Sequence, residues 1–151
     1  MLGGLWLTYR GSAMKEKERK IAQKLAELYP VLGEMIEPDS QYSPFDFECK
    51  LYIIEVKARD TDYPDWLIEK IKFDKNLELS AAMNKDFLYL TEYGGLGYIY
   101  NVNKLVENNY DFKWQTKRLP ATTEFSRCNW VDKEVGFLSK LSARKVKLNG
   151  V

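Results

Sequence analysis

Apolar and polar positions change their period several times along the chain, and each change marks an element. Over residues 14–32, Met14, Ile21, Leu25, Leu28 and Leu32 recur at spacings of seven, four, three and four, which is the single apolar stripe of an amphipathic helix. Residues 33–37 suit a short first strand, and Pro38, Asp39, Ser40 and Pro44 make the loop after it. From Phe45 the period drops to two. Residues 45–48 alternate apolar and acidic, residues 51–58 are rich in strand-forming side chains, and Cys49-Lys50 supplies the reversal of a tight hairpin. In that register Glu48 faces Leu51, Phe47 faces Tyr52 and Asp46 faces Ile53. One face then carries Phe45, Phe47, Tyr52, Ile54, Val56 and Ala58, a core. The other carries Asp46, Ile53, Glu55 and Lys57.

Further on, Thr61-Asp62-Tyr63-Pro64-Asp65 reads as a helix start, with Pro64 near the first turn and Asp65 at the positive end, and the helix runs to Met83. Ile68, Ile71, Leu79 and Ala82 form its core face, Lys75 projects from the middle of that face, and Lys72 lies on its border. Trp66, Phe73 and Leu77 make a second apolar patch on the opposite side, suited either to a partner or to cover by the chain's own tail. Residues 87–91 and 97–100 are two strands around Gly94-Gly95, a hairpin signal. Asn101 or Asn103 caps a short helix through Asn108. From residue 14 to about residue 101 the order is α-β-β-β-α-β-β.

At 151 residues one domain is expected, divided into a non-core leader (1–13), a core (14–101) and a C-terminal extension of the same domain (102–151). Met14 reads as the native start, with Gly11-Ser12 as a joint to an added leader. The net charge of +1 hides an asymmetry: residues 1–101 hold 13 Lys/Arg against 17 Asp/Glu, and residues 102–151 hold 10 against 5. An acidic front with a basic tail suits a cation site whose polyanionic partner is gripped by the tail; a solvated tail face reads equally well from charge alone. In that tail Trp114, Lys117, Arg118, Thr122-Thr123, Arg127, Trp130 and Lys133 interleave aromatic and basic groups, as phosphate contact and base stacking require.

The absence of histidine removes Ser-His-Asp and Cys-His nucleophile systems and most catalytic zinc sites. A metal would have to be held by oxygen ligands, which points to Mg²⁺ or Mn²⁺. Cys49 and Cys128 have no metal or redox spacing and read as free thiols of a reducing, cytoplasmic compartment; no apolar run approaches membrane-spanning length. Asp46 and Glu55 are diagonal neighbours on one hairpin face, with Cα atoms about 7–8 Å apart, so their carboxylates can meet over one cation with the Lys57 ammonium beside it. Glu18 falls on the apolar stripe of the first helix, whereas Glu16, Lys20, Gln23 and Glu27 lie off it. It is either a third cation ligand or a boundary glutamate reaching for water.

Asp46 followed by Glu55-Val56-Lys57 on the next strand resembles the motif of the PD-(D/E)xK nuclease superfamily. The triplet alone carries no information: acid-x-Lys also occurs at Glu18-Arg19-Lys20, Glu48-Cys49-Lys50 and Asp111-Phe112-Lys113. A rival register, Pro38-Asp39 with Glu48-Cys49-Lys50, spells the motif literally, but places its acid and lysine at the hairpin end rather than on a central strand. Glu18-Arg19-Lys20-Ile21 is similar to the first-helix motif of archaeal Holliday-junction resolvases, and the element order is that of the superfamily's core. The resemblance implies a restriction-endonuclease-like α/β fold, a mixed sheet flanked by helices, with a C-terminal extension. It implies an Mg²⁺- or Mn²⁺-dependent DNA phosphodiesterase in which Glu18, Asp46, Glu55 and the Val56 carbonyl hold metal. Lys57 then steers water, and Lys75 (Lys72 in reserve) meets the phosphate. A homodimer acting on DNA is implied as well, and the lack of a membrane-length apolar run leaves no membrane among the expected partners. The alternatives are a nucleic-acid-binding module of the same fold without catalysis, and an interaction protein whose acidic face is coincidental. Junction, specific site and free end all remain open as targets.

Overall fold

The computed structural model describes residues 12–121 and 129–151. The chain is an α/β protein whose five-stranded mixed sheet is flanked by helices, with a second, three-stranded sheet beside it. The first helix, α1 (Ser12–Leu28), is followed by a 3₁₀ turn at Pro30–Leu32. The strands and helices that follow are β1 (Phe47–Glu48), β2 (Tyr52–Ala58), β3 (Asp65–Glu69), α2 (Lys70–Met83), β4 (Asp86–Tyr93), β5 (Leu96–Asn101) and α3 (Val102–Glu107). The chain ends with β6 (Gln115–Pro120), β7 (Trp130–Ser139) and β8 (Arg144–Lys147). The main sheet is ordered β1-β2-β4-β5-β8 and the smaller one β3-β7-β6. Among the described residues only β2 and β4 pair in parallel, and β3 with α2 forms the crossover between them.

Several expectations are corrected. The first helix stops at Leu28 rather than Leu32, because Pro30 has no amide hydrogen and restricts Tyr29, which adopts φ −128°, ψ 76°. Ile21, Ala22 and Leu25 are buried, while Leu28 is 44% exposed. The helix includes Ser12 and Ala13, residues assigned above to the leader; residues 1–11 lie outside the described residues. The expected strand at residues 33–37 is reduced to one bridge between Ile36 and Glu48.

The hairpin exists, but its register differs. Phe47 pairs with Ile54 and Glu48 with Ile53, so the reversal lies at Lys50-Leu51 and the strands slip by two residues. A slip of two keeps the paired side chains on their faces, since the side-chain period is also two. The ladder ends at Phe47, and the Asp46 amide also donates to the Ile54 carbonyl at 2.9 Å, so Asp46 lies outside the regular pairing that would set it diagonal to Glu55. Phe45 leaves the expected face, because β1 is only two residues long: it packs with Ile53, Trp66 and Phe87, while Phe47 packs with Ile21, Leu25 and Ile54.

The helix expected from Pro64 onward begins at Lys70. Asp65–Glu69 is instead a strand burying Trp66 and Ile68, and it pairs with β7, some seventy residues later. The inward residues of α2 are consequently Phe73, Asn76 and Ser80, and Ile71 is 63% exposed. The Trp66–Phe73 patch is covered by the tail: Phe73 meets Phe112 and Trp114 edge-on at 5.0 and 4.8 Å between ring centroids.

The β4–β5 hairpin turns through Gly94 and Gly95 at φ 58° and 84°, the positive angles that a two-residue turn matched to strand twist demands. The Asn101 side chain caps α3 through the Lys104 amide at 3.1 Å. The tail is not an appendage. β8 completes the main sheet beside β5, and Leu148 is fully buried against the α1 side of the sheet. In the smaller sheet, Val135 to Ser139 of β7 pair with β3, but Trp130 to Glu134 pair with β6 alone. A two-stranded ribbon therefore runs about 17 Å past Glu69, the residue from which α2 starts. Thr122, Thr123, Arg127 and Cys128 lie outside the described residues. Among the described residues no helix is long and apolar enough to cross a membrane.

Leu148→Ala should therefore destabilise the protein by about 2–5 kcal/mol in urea unfolding, as removal of a fully buried leucine does. Leu141→Ala, at a position 92% exposed, should change stability by no more than about 0.5 kcal/mol. Equal effects would mean that the tail is not part of the core.

Candidate active site

Strand β2 is buried on both faces. Ile54 and Val56 pack under α1, and Ile53 packs on the side of α2 and the smaller sheet. Along this second face the residues run Ile53, Glu55, Lys57, with Arg59 just past the end of the strand, and the cover thins as the strand leaves the core. Ile53 is fully buried, Glu55 is 2% exposed, and the Lys57 side chain is 27% exposed.

Five expected residues, Glu18, Asp46, Glu55, Val56 and Lys57, come together around the edge of β2 that β1 leaves open. Asp46 stands where β1 has ended and Val56 has lost its strand partner. Its Oδ2 accepts the orphaned Val56 amide at 2.7 Å, a charge-assisted bond that fixes the carboxylate against β2. Even-numbered residues of β2 turn their backbone groups toward β1, as the Ile54 carbonyl and Val56 amide both show, so the Val56 carbonyl is on that same edge. Lys57 Nζ lies 3.3 Å from Glu55 Oε2. Glu18 faces the sheet from α1, and the Lys15 ammonium sits between it and Asp46, 3.8 Å from Glu18 Oε2 and 3.7 Å from Asp46 Oδ1.

Lys75 does not join them. It is exposed on α2, because the helix starts later than expected and its phase turns Asn76 inward instead. Lys72, the reserve residue, does reach the site, 3.8 Å from Glu55 Oε2. Asn76, fully buried, donates to the Pro44 carbonyl at 3.0 Å and, at a long 3.5 Å, to Glu55 Oε1. Asn76 and Lys15 were missed by the sequence reading. Each had a faint signal: Lys15 precedes Glu18 by three and Asn76 follows Lys72 by four, the spacings that share a helix face. The rival register is not assembled. Glu48 pairs with Lys85 at 2.5 Å, and Asp39 and Lys50 are exposed.

The electrostatics are those of crowded, half-compensated acids. Burial and then Asp46 push the Glu18 carboxyl up to about 7, with Lys15 and Lys57 opposing. Burial also raises Glu55, against the pull of Lys57 and Lys72 and with a further push from Asp46. For Lys57, burial disfavours the charge, but Glu55, Tyr89 and Asp46 outweigh it, and the ammonium stays protonated well above the usual lysine range.

Among the described residues no three carboxylate, thiol or imidazole side chains are gathered closely enough to hold one ion in the positions they occupy. The donor set nevertheless fits a hard divalent cation: all side-chain ligands are oxygens, they sit on three separate elements, and two are acids whose negative charge is undercompensated. Turning Lys15 outward would leave Asp46 Oδ1 and Glu18 facing the same space. Comparison with protein-family models, with curated proteins and with solved structures finds no match to this chain.

The raised Glu18 acid gives a pH prediction. In the folded protein it keeps its proton up to about pH 7, whereas in the unfolded chain it loses it near 4.5. Between those values the folded state binds more protons, so metal-free stability should fall as pH rises. Melting temperatures recorded in chelator from pH 4.5 to 8 should decline in the wild type, and less steeply in Glu18→Gln. Parallel curves would place Glu18 in ordinary solvent.

Proposed function

We propose that this chain is a divalent-cation-dependent nuclease of the PD-(D/E)xK type, hydrolysing phosphodiester bonds of DNA. The observation that carries the reading is the convergence of Glu55 and Lys57 from β2, Asp46 from the residue before β1 and Glu18 from the facing helix. A restriction-endonuclease-like core is the matching fold assignment, supported by the antiparallel β1–β2 pair, the parallel β2–β4 pair and the α2 crossover.

Glu18, Asp46 Oδ1, Glu55 and the Val56 carbonyl would hold Mg²⁺ or Mn²⁺. When bound, the ion supplies Lewis-acid polarisation of the phosphate and a lowered pKa for the attacking water. The chain's own residues do the rest. The Val56 amide holds Asp46 in place. Lys57, permanently charged, donates hydrogen bonds to the water and the developing phosphorane charge and is no base. Lys72 and Asn76 hold the buried Glu55 carboxylate in position. The ribbon of β6 and β7, with Lys117 and Arg118 exposed and Trp130 58% exposed, extends the surface available to nucleic acid. A homodimer, which lets two sites cut two strands, and a reducing compartment complete the reading; Cys49 is a buried free thiol.

A second reading is a nucleic-acid-binding module without catalysis. It is favoured by one observation, the ammonium of Lys15 between Glu18 and Asp46. Incubation with linear, supercoiled and four-way-junction DNA, with and without Mg²⁺, separates the two. Asp46→Asn and Glu55→Gln should each lower cleavage by about 10³-fold or more, the effect of losing several kcal/mol of charge stabilisation, with the fold intact by circular dichroism. Glu48→Gln should cleave like the wild type. Cleavage near the wild-type rate by either site variant would remove the assignment.

The ribbon gives a separate expectation. Lys117→Ala with Arg118→Ala should weaken duplex binding and flatten its salt dependence by about one unit of slope for each phosphate no longer neutralised. An unchanged slope would move the footprint off the ribbon.

A further inference from the structure

Arg59 lies one residue past the end of β2, two after Lys57, and it has no part in the cation site or in the hydrolysis proposed there. It is half-buried. Its Nη2 donates to the Leu67 carbonyl at 3.1 Å and to the Tyr89 hydroxyl at 3.3 Å, both neutral acceptors. Its Nε is buried and has no hydrogen-bond partner. Among the described residues no carboxylate lies within ion-pairing distance of it, although Lys15, Lys17, Lys57, Lys72 and Lys85 all have one.

A guanidinium partly withdrawn from water, with an unused donor and no counter-charge, is costly if its role is structural. An anion beside the guanidinium supplies the missing counter-charge. The planar fork of arginine favours phosphate among anions, and tethering Nη2 to two fixed acceptors holds the fork in place before any ligand arrives. The position is informative too. Alternate residues of a strand are about 6.6 Å apart, which is close to the stride between successive phosphates of one nucleic-acid strand. Lys57 stands at the reacting phosphate in the proposed nuclease.

We propose that Arg59 is the receptor for the backbone phosphate next to the one held at Lys57, setting how the strand lies across the site. The inference rests on the nucleic-acid reading and adds to it a second anchoring point. With Lys57 it defines a line along β2 that the substrate strand follows, so that a nucleotide on only one side of the scissile bond needs a phosphate.

The test is duplex binding by fluorescence anisotropy in chelator, where no cleavage occurs, across a range of salt concentrations. Arg59→Gln keeps an amide donor for the Leu67 carbonyl but removes the charge. It should bind about tenfold more weakly at low salt, with a salt slope shallower by about one unit. Arg59→Lys should keep the wild-type slope. Tyr89→Phe removes one of the bonds to Arg59 but no charge, and should also keep it. In the wild type, duplex DNA should protect Arg59 from an arginine-selective dicarbonyl reagent, read by mass spectrometry, a measurement independent of whether any variant folds. Wild-type binding without protection of Arg59, or an unchanged slope in a folded Arg59→Gln, would overturn the inference alone. A wild type that does not bind duplex would remove the nucleic-acid reading itself.

Discussion

Strand β2 must be covered on both of its faces, and the architecture is the answer to that requirement. A strand that is apolar at Ile53 as well as at Ile54 and Val56 cannot sit at a solvated face, so α1 closes one side and α2 with the smaller sheet closes the other. The parallel partner β4 supplies the next layer outward, with Phe87, Leu88, Tyr89 and Leu90 buried in succession. Each fully buried large side chain contributes about 1.5–3 kcal/mol, so the centre of the sheet is where the fold is most strongly held.

The site is where that cover runs out. Glu55 is rigid because the residues on either side of it, Ile54 and Val56, are locked into the core beneath α1. It is chemically awkward because it is 2% exposed yet ionisable. The two ammoniums beside it do not fully offset the burial, and Glu18 is likewise held above the ordinary carboxyl range. Buried ionisable groups of this kind lower stability rather than raise it, and they cluster where function needs them. Asp46 is tied down by a backbone amide that the end of β1 left unpaired.

The smaller sheet links this centre to the tail. β3 runs directly into α2, which carries Lys72 and Asn76 to Glu55, and β7 joins β3 to the exposed ribbon. Lys133 on the ribbon meets Glu69 at 3.0 Å, at the start of α2. The C-terminal third therefore does two things at once. Through Leu148 it completes the core, and through β6 and β7 it carries basic and aromatic side chains out beyond the site.

The sequence by itself determined the elements whose signals are local. The stripe of Ile21 and Leu25, the Gly94-Gly95 turn, the Asn101 cap and the alternation along β2 each depend on neighbours within a few residues, and the structure contains all of them. The face shared by Glu55 and Lys57 was legible for the same reason, since a two-residue slip of register leaves a period of two intact, whereas Asp46 is placed by its bond to the Val56 amide. Tertiary structure decided the rest. Asp65–Glu69 is a strand only because β7 offers it an edge, and that partner is distant in sequence. The start of α2 at Lys70 follows from this strand, and with it the helical phase that turns Asn76 inward and leaves Lys75 in solvent. Whether Ile53 faces water or a second core depended on the same long-range pairing. A side chain's face is set by local geometry, whereas what lies opposite that face is set by chain segments whose approach no short window of sequence encodes.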